Sequence, residues 1–139
     1  MILLDTSGLL AALAPDQAQH QACADVLRET DGPLVLSPFV LAELDYLLTK
    51  LAGVSAELEL LAEVARGAYE LAPFNADDVE LASRVIERHR DLVVGLADAS
   101  IVVLSERLHT RDILTLDQRH FRALRGARGR PFRLLPADR

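Results

Sequence analysis

The sequence predicts an α/β protein: a three-layer α/β/α sandwich around a short parallel sheet of four to five strands. Three observations carry that expectation. Very short apolar runs, such as Ile2-Leu3-Leu4 and Leu34-Val35-Leu36, are each followed at once by a turn or capping residue. Amphipathic stretches of helical length lie between them, so strands and helices alternate along the chain. The runs also lack polar alternation, which marks strands buried on both faces, as in a parallel sheet covered by helices on either side.

The elements follow in order. Ile2-Leu3-Leu4 reads as a buried strand, and Asp5-Thr6-Ser7-Gly8 as a turn with hydroxyls able to cap the next helix. That helix runs to about Ala14, where Pro15 stops it. A second, amphipathic helix covers roughly Ala18 to Glu29 and closes at Asp31-Gly32-Pro33. Leu34-Val35-Leu36 is the next strand. Ser37-Pro38 then supplies an N-cap and a proline at the first helical position, opening a helix to about Lys50. Gly53 breaks the chain, Ser55 opens a helix to about Arg66, and Tyr69-Glu70-Leu71 is a weak strand. Asn75 caps a helix from Ala76 to about Arg90, and Gly95 precedes another from about Ala97 to Leu108. Ile113-Leu114-Thr115-Leu116 is the clearest later strand, ending at Asp117. A short helix, Gln118 to Leu124, and a strand, Phe132 to Leu135, complete the chain. No repeat or long linker interrupts this order, so residues 1–139 read as a single domain.

Composition narrows the class. Half of the residues are hydrophobic and only six are Pro, which excludes a disordered chain. Four Phe, two Tyr and no Trp leave the core to Leu, Val, Ile and Ala. The single cysteine, Cys23, excludes an internal disulfide and a cysteine-built zinc site. It reads as small core filler, and a reducing cytoplasm is the simplest location. No basic residue precedes the apolar start and Asp5 interrupts it, which argues against a signal peptide. The apolar run from Leu92 to Ser105 carries Asp98 and falls short of the ~20 residues needed to span a bilayer. The net charge of −6 hides an asymmetry, because residues 107–139 hold nine of the fifteen basic residues, all Arg, against three acids. Such a segment reads either as a solvated face or as a phosphate-binding surface, since a guanidinium engages phosphate oxygens through two donors.

The strongest functional signal is acids embedded in apolar sequence. Asp5 is the only ionisable side chain between Ile2 and Pro15, and Asp98 the only one between Leu92 and Ser105. A buried carboxylate is costly unless paired, protonated or bound to metal. Glu43 has Phe39, Val40 and Leu47 at its i−4, i−3 and i+4 positions, which puts it on the core-facing stripe of its helix. Asp45 and Glu57 read as ordinary solvent-facing acids. Asp5 and Asp117 each follow a strand directly, and ligands gather outside the carboxyl ends of such strands, where these two acids can meet. A capping role for Asp5 and a helix-dipole role for Asp98 are the bland alternatives. Crowded acids favour a cation, because two carboxylates ~4 Å apart repel by ~4 kcal/mol at an effective dielectric near 20. Hard oxygen ligands point to magnesium or manganese rather than zinc or copper. The histidines, His20, His89, His109 and His120, show no ligand spacing and read as surface or satisfied residues.

Four segments together resemble the PIN-domain family, specifically the VapC-like toxins of bacterial toxin–antitoxin pairs. They are Met1-Ile-Leu-Leu-Asp5-Thr-Ser-Gly8, Ser37-Pro-Phe-Val-Leu-Ala-Glu43-Leu44, Gly95-Leu-Ala-Asp98-Ala-Ser-Ile101 and Ile113-Leu-Thr-Leu-Asp117-Gln-Arg-His-Phe121. Their order and spacing cover almost the whole chain. The resemblance implies a magnesium-dependent endoribonuclease (manganese being the alternative ion) that cleaves RNA with metal-activated water. By position it implies that Asp5, Glu43, Asp98 and Asp117 hold the metal, with Thr6, Ser7 and Thr115 as hydroxyls standing behind them. It further implies a homodimer and a small antitoxin partner. Two other readings remain: a non-catalytic binding module on the same scaffold, and a phosphoacceptor signalling domain. The second needs a late lysine and an early acid pair, whereas the only lysine is Lys50 and residues 1–15 hold one acid.

Overall fold

The computed structural model describes all 139 residues, Met1–Arg139. Five strands form one sheet: β1 (Ile2–Leu4), β2 (Leu34–Leu36), β3 (Glu70–Leu71), β4 (Asp112–Leu114) and β5 (Arg133–Leu135). All neighbours are parallel and the order is β3-β2-β1-β4-β5. Seven helices complete an α/β/α sandwich: α1 (Thr6–Leu13), α2 (His20–Glu29), α3 (Pro38–Ala52), α4 (Val54–Ala65), α5 (Ala76–Arg88), α6 (Leu96–Leu108) and α7 (Gln118–Ala123). Short 3₁₀ turns occupy Arg90–Leu92 and Ala127–Gly129, where the sequence carries no comparable local signal.

Local chemistry explains where the elements begin. Ser37 accepts a bond from the Phe39 N–H ahead of Pro38, so α3 starts at the expected cap. Asn75 and Asp78 form a reciprocal capping box at the start of α5. Gly53 takes φ +87°, a conformation that costs other residues energy, and turns the chain between α3 and α4. The central strands are buried on both faces, Ile2, Leu3, Leu4, Ile113 and Leu114 among them. They anchor a cluster of 30 buried apolar residues, almost entirely aliphatic, with Phe121 and Phe132 packed edge to face at 5.7 Å. No helix is long and apolar enough to cross a membrane.

The expected strand ending at Leu116 is corrected. β4 stops at Leu114, because the Leu116 N–H bonds Ser7 Oγ at 3.0 Å and the chain leaves the sheet there. Asp117 therefore lies three residues beyond the strand rather than one. Thr115 occupies the position directly after it.

Candidate metal centre

Strand register places the site before any side-chain detail is considered. Leu4 is opposite Leu36 on β2 and Leu114 on β4. The following residues, Ser37, Asp5 and Thr115, therefore stand in a row at the carboxyl edge, all buried. Asp5 is in the middle, where β1 leads to β2 on one side and the chain later crosses back to β4 on the other. Such a switch point leaves a crevice between diverging connections, the usual ligand position in open parallel sheets.

Asp5 is 5% exposed and does not cap α1 with its side chain. Its Oδ2 instead accepts bonds from Ser7 Oγ and Thr115 Oγ1, each at 2.7 Å. Thr115 Oγ1 also accepts from the Asp117 N–H at 3.0 Å. The two expected hydroxyls thus tie Asp5 to the turn that carries Asp117. Thr6 differs from them: its Oγ1 is buried, has no hydrogen-bond partner, and belongs to a residue lining the cleft. Gly8 makes the approach possible, since a Cβ there would stand 2.6 Å from the Leu114 carbonyl oxygen.

Asp98 enters from the first turn of α6. A buried chain of hydroxyls locates that helix against α3: Ser37 Oγ meets Ser100 Oγ at 2.7 Å, and Ser100 donates to the Ala97 carbonyl at 2.6 Å. Asp117 caps α7 by accepting the His120 N–H on Oδ1 at 3.0 Å. This leaves Oδ2 facing the cleft. His120 Nδ1 lies 3.0 Å from Asp98 Oδ2 and 3.0 Å from Asp117 Oδ2. One donor atom from each of Asp98, Asp117 and His120 falls within 4.8 Å of the others. Together with Asp5, Thr6, Ser7 and Glu43, these residues line a cleft of about 430 Å³.

Glu43 corrects one expectation. It is exposed at the rim of the cleft, because the buried stripe of α3 is Val40, Leu44 and Leu48, and Glu43 lies beside it rather than on it. Asp45 and Glu57 also depart from the solvent-facing reading. Asp45 Oδ1 is buried without a partner, and the neighbouring Asp45 carboxyl raises that of Glu57 above its usual range.

Burial dominates the electrostatics of the cleft, and the charges of neighbouring acids add to it. Burial raises the Asp5 carboxyl above the ordinary aspartate range despite its two hydroxyl donors. The Asp98 carboxyl is pushed up to about 6, by burial first and by the Asp5 charge second, while His120 pulls it back. A divalent cation suits this donor set for three reasons: the acids repel one another, their oxygens are hard ligands, and Thr6, whose buried hydroxyl has no partner, lines the same cleft. Lys50 is exposed and stacks over the Tyr46 ring at 5.1 Å, so the one lysine plays no part in the cleft.

Comparison with known proteins decides the family. The model described as PIN domain matches residues 2–127. The chain belongs to the PIN-domain family. It is 45% identical over 135 residues to Ribonuclease VapC26 of Mycobacterium tuberculosis, covering 97% of this chain and 100% of that one. Among solved structures, Mycobacterium tuberculosis VapC20, described as a sarcin–ricin loop cleaving toxin, matches with a TM-score of 0.79. That match covers 84% of this chain and 90% of the other at 21% identity, and so bears on the fold.

In this PIN domain the cleft gathers Asp5, Asp98 and Asp117 with Glu43 at the edge, but its tightest cluster includes a residue the sequence reading set aside. His120 follows Asp117 by three positions, a spacing that puts both on one side of a helix start. That three-residue spacing is the only local signal for His120, and it pairs a histidine with an acid rather than with another histidine. The Arg-rich segment divides: Arg107, Arg122, Arg133 and Arg139 pair with Asp78, Asp138, Asp112 and Glu29. These four are taken up in ion pairs, whereas the other five arginines of the segment, Arg119 and Arg125 among them, have no acid partner.

Proposed function

We propose that this PIN domain is a divalent-metal-dependent endoribonuclease, acting in the cytoplasm as the toxin of a toxin–antitoxin pair. One observation carries the reading: carboxylates from three separated segments, Asp5, Asp98 and Asp117, converge on one cleft at the switch point of the sheet. The 45% identity to a protein named as a ribonuclease over its full length supports the substrate class. A cognate antitoxin protein is the partner that this class implies, and a homodimer is the assembly we propose. Residues 1–139 act as one nuclease unit in this reading.

Asp5, Glu43, Asp98 and Asp117 hold the cation, with magnesium the ion that hard oxygen ligands favour. When bound, the ion supplies positive charge that lowers the pKa of water and offsets charge developing on the phosphate. Asp5 is the fixed reference of the group, locked by Ser7 and Thr115, so it orients the others without reorganising during the reaction. Glu43, exposed at the rim, has the freedom to take a proton from the attacking water and release it to solvent. Water oxygen bonds to phosphorus as the bond to the 3′ oxygen breaks in line with it, and the departing oxygen takes a proton from solvent, leaving a 5′-phosphate and a 3′-hydroxyl. Arg119 follows Asp117 by two residues and is a candidate for contact with the RNA backbone.

Cleavage of a mixed RNA pool tests the reading, with magnesium, with EDTA, and with the Asp98→Asn variant. Metal-dependent cutting that disappears in the variant is the expected outcome. Cutting that persists in Asp98→Asn removes the site from the chemistry.

A further inference from the structure

We propose that His120 is itself a ligand of the cation, completing Asp98 and Asp117 as a nitrogen–oxygen–oxygen triad that favours manganese(II) over magnesium. The inference rests on the nuclease reading and goes beyond the four-acid pattern. Its first support is distance. Ligands about 2.1 Å from an octahedral ion stand about 3.0 Å apart when adjacent. His120 Nδ1 is 3.0 Å from Asp98 Oδ2 and 3.0 Å from Asp117 Oδ2, so two edges of such an octahedron already exist. All three donor atoms lie within 4.8 Å of one another, a separation that small rotations bring within reach of one ion.

The second support is that Asp117 and His120 are joined by a bond that uses neither of their donor atoms. Asp117 spends Oδ1 on the His120 N–H as the cap of α7, which leaves Oδ2 free. The same bond fixes His120 relative to Asp117. Nδ1 carries at most one proton yet faces two carboxylate oxygens at the same distance, and a single N–H cannot satisfy both well. A cation among the three satisfies all of them. The third support is Thr6, 3% exposed, a residue that lines the same cleft and whose buried hydroxyl is bonded to nothing in the protein.

Ligand chemistry then sets the preference. Carboxylates serve magnesium and manganese alike, whereas imidazole binds first-row transition ions and adds little for magnesium. Removing His120 therefore selects between the ions and does not weaken both equally.

The test uses the full chain with MnCl2 and MgCl2. Pulsed EPR of the manganese-loaded protein reads whether a nitrogen nucleus couples to the ion, and binding titrations of the unaltered chain and of His120→Gln read affinity. The expected result is nitrogen coupling that vanishes in His120→Gln. Manganese affinity should fall on the order of tenfold, a scale typical of groups lost around a metal, while magnesium affinity changes far less. Absence of nitrogen coupling in the unaltered chain overturns the proposal, and that measurement requires no variant to fold. Equal loss of both ions in His120→Gln also overturns it, leaving His120 as a clasp between two acids. Asp98→Asn separates the two levels of inference. Manganese binding unchanged in Asp98→Asn removes the metal site and the nuclease reading with it, whereas binding lost there without nitrogen coupling removes only the role of His120.

Discussion

At the residue scale, the centre of the site is a carboxylate that the protein makes hard to ionise and then holds still. Asp5 is buried and receives two hydroxyl bonds on one oxygen, and Asp98 is raised to about 6 beside it. For an acid whose folded pKa is raised, the folded state binds protons more readily than the unfolded one. The cation-free protein therefore gains stability as pH falls through about 6 and loses it as pH rises. Cation binding runs the other way, because it needs the ionised carboxylates. Thermal melts from pH 5 to 8 should show the metal-induced rise in Tm shrinking below about pH 6, and a rise independent of pH would contradict the placement of Asp98 at the ion. Thr115 offers a second test. Its hydroxyl bonds Asp5 Oδ2 and accepts the Asp117 N–H, so Thr115→Val leaves both without that partner. We expect a loss of about 1–3 kcal/mol in denaturant unfolding, with weaker cation binding measured by titration. Unchanged stability would mean that the two groups find other partners.

At the element scale, the site depends on how closely α1 lies against β4. Gly8, in the first turn of α1, leaves no room for a side chain, since an added Cβ would meet the Leu114 carbonyl oxygen at 2.6 Å and Leu114 Cγ at 2.7 Å. Gly8→Ala must push the start of α1 away from the end of β4, the junction across which Asp5 reaches Thr115. Overpacking of this kind costs about 1–3 kcal/mol, against the small gain that alanine normally brings to a helix. The expected outcome is a lower Tm together with weakened RNA cleavage. A variant that melts higher than the parent would show that the contact relaxes freely. The two-serine link between α3 and α6 works similarly, setting the distance between the helices that carry Glu43 and Asp98.

At the scale of the whole molecule, the last residues fasten the sheet to the site. Asp138 takes two bonds from the Arg122 guanidinium, at 2.6 and 2.8 Å, and a third from the Leu134 N–H at 2.8 Å. Arg122 lies on α7, the helix that begins at Asp117 and carries His120, so the clamp ties β5 to the cation cluster. The Asp138 carboxyl is held down to about 2, chiefly by Arg122. A depressed acid contributes stability above its unfolded pKa, and that contribution is lost as pH falls toward 2. Asp138→Ala should therefore melt below the parent at pH 7, with the difference narrowing in the acid range. A difference that stays constant with pH would assign the effect to packing rather than charge.

The sequence by itself determined the layers of this protein. Wholly apolar three-residue strands, caps such as Ser37 and Asn75, and breaks such as Gly53 are local signals, and local signals place elements. Acids isolated in apolar sequence likewise pointed to Asp5 and Asp98, because the cost of burying charge is legible wherever no partner is near. Tertiary structure decided what those acids face. Helical periodicity put Glu43 in the core, but the packed stripe runs through Val40, Leu44 and Leu48, and Glu43 falls on the rim. Only the packing of α6 against the β4–α7 turn brings Asp98 to His120 across 22 positions of sequence. Register between strands put Thr115, not Asp117, level with Asp5. Such pairings are set by which backbones approach one another in space, and no spacing along a single segment encodes them.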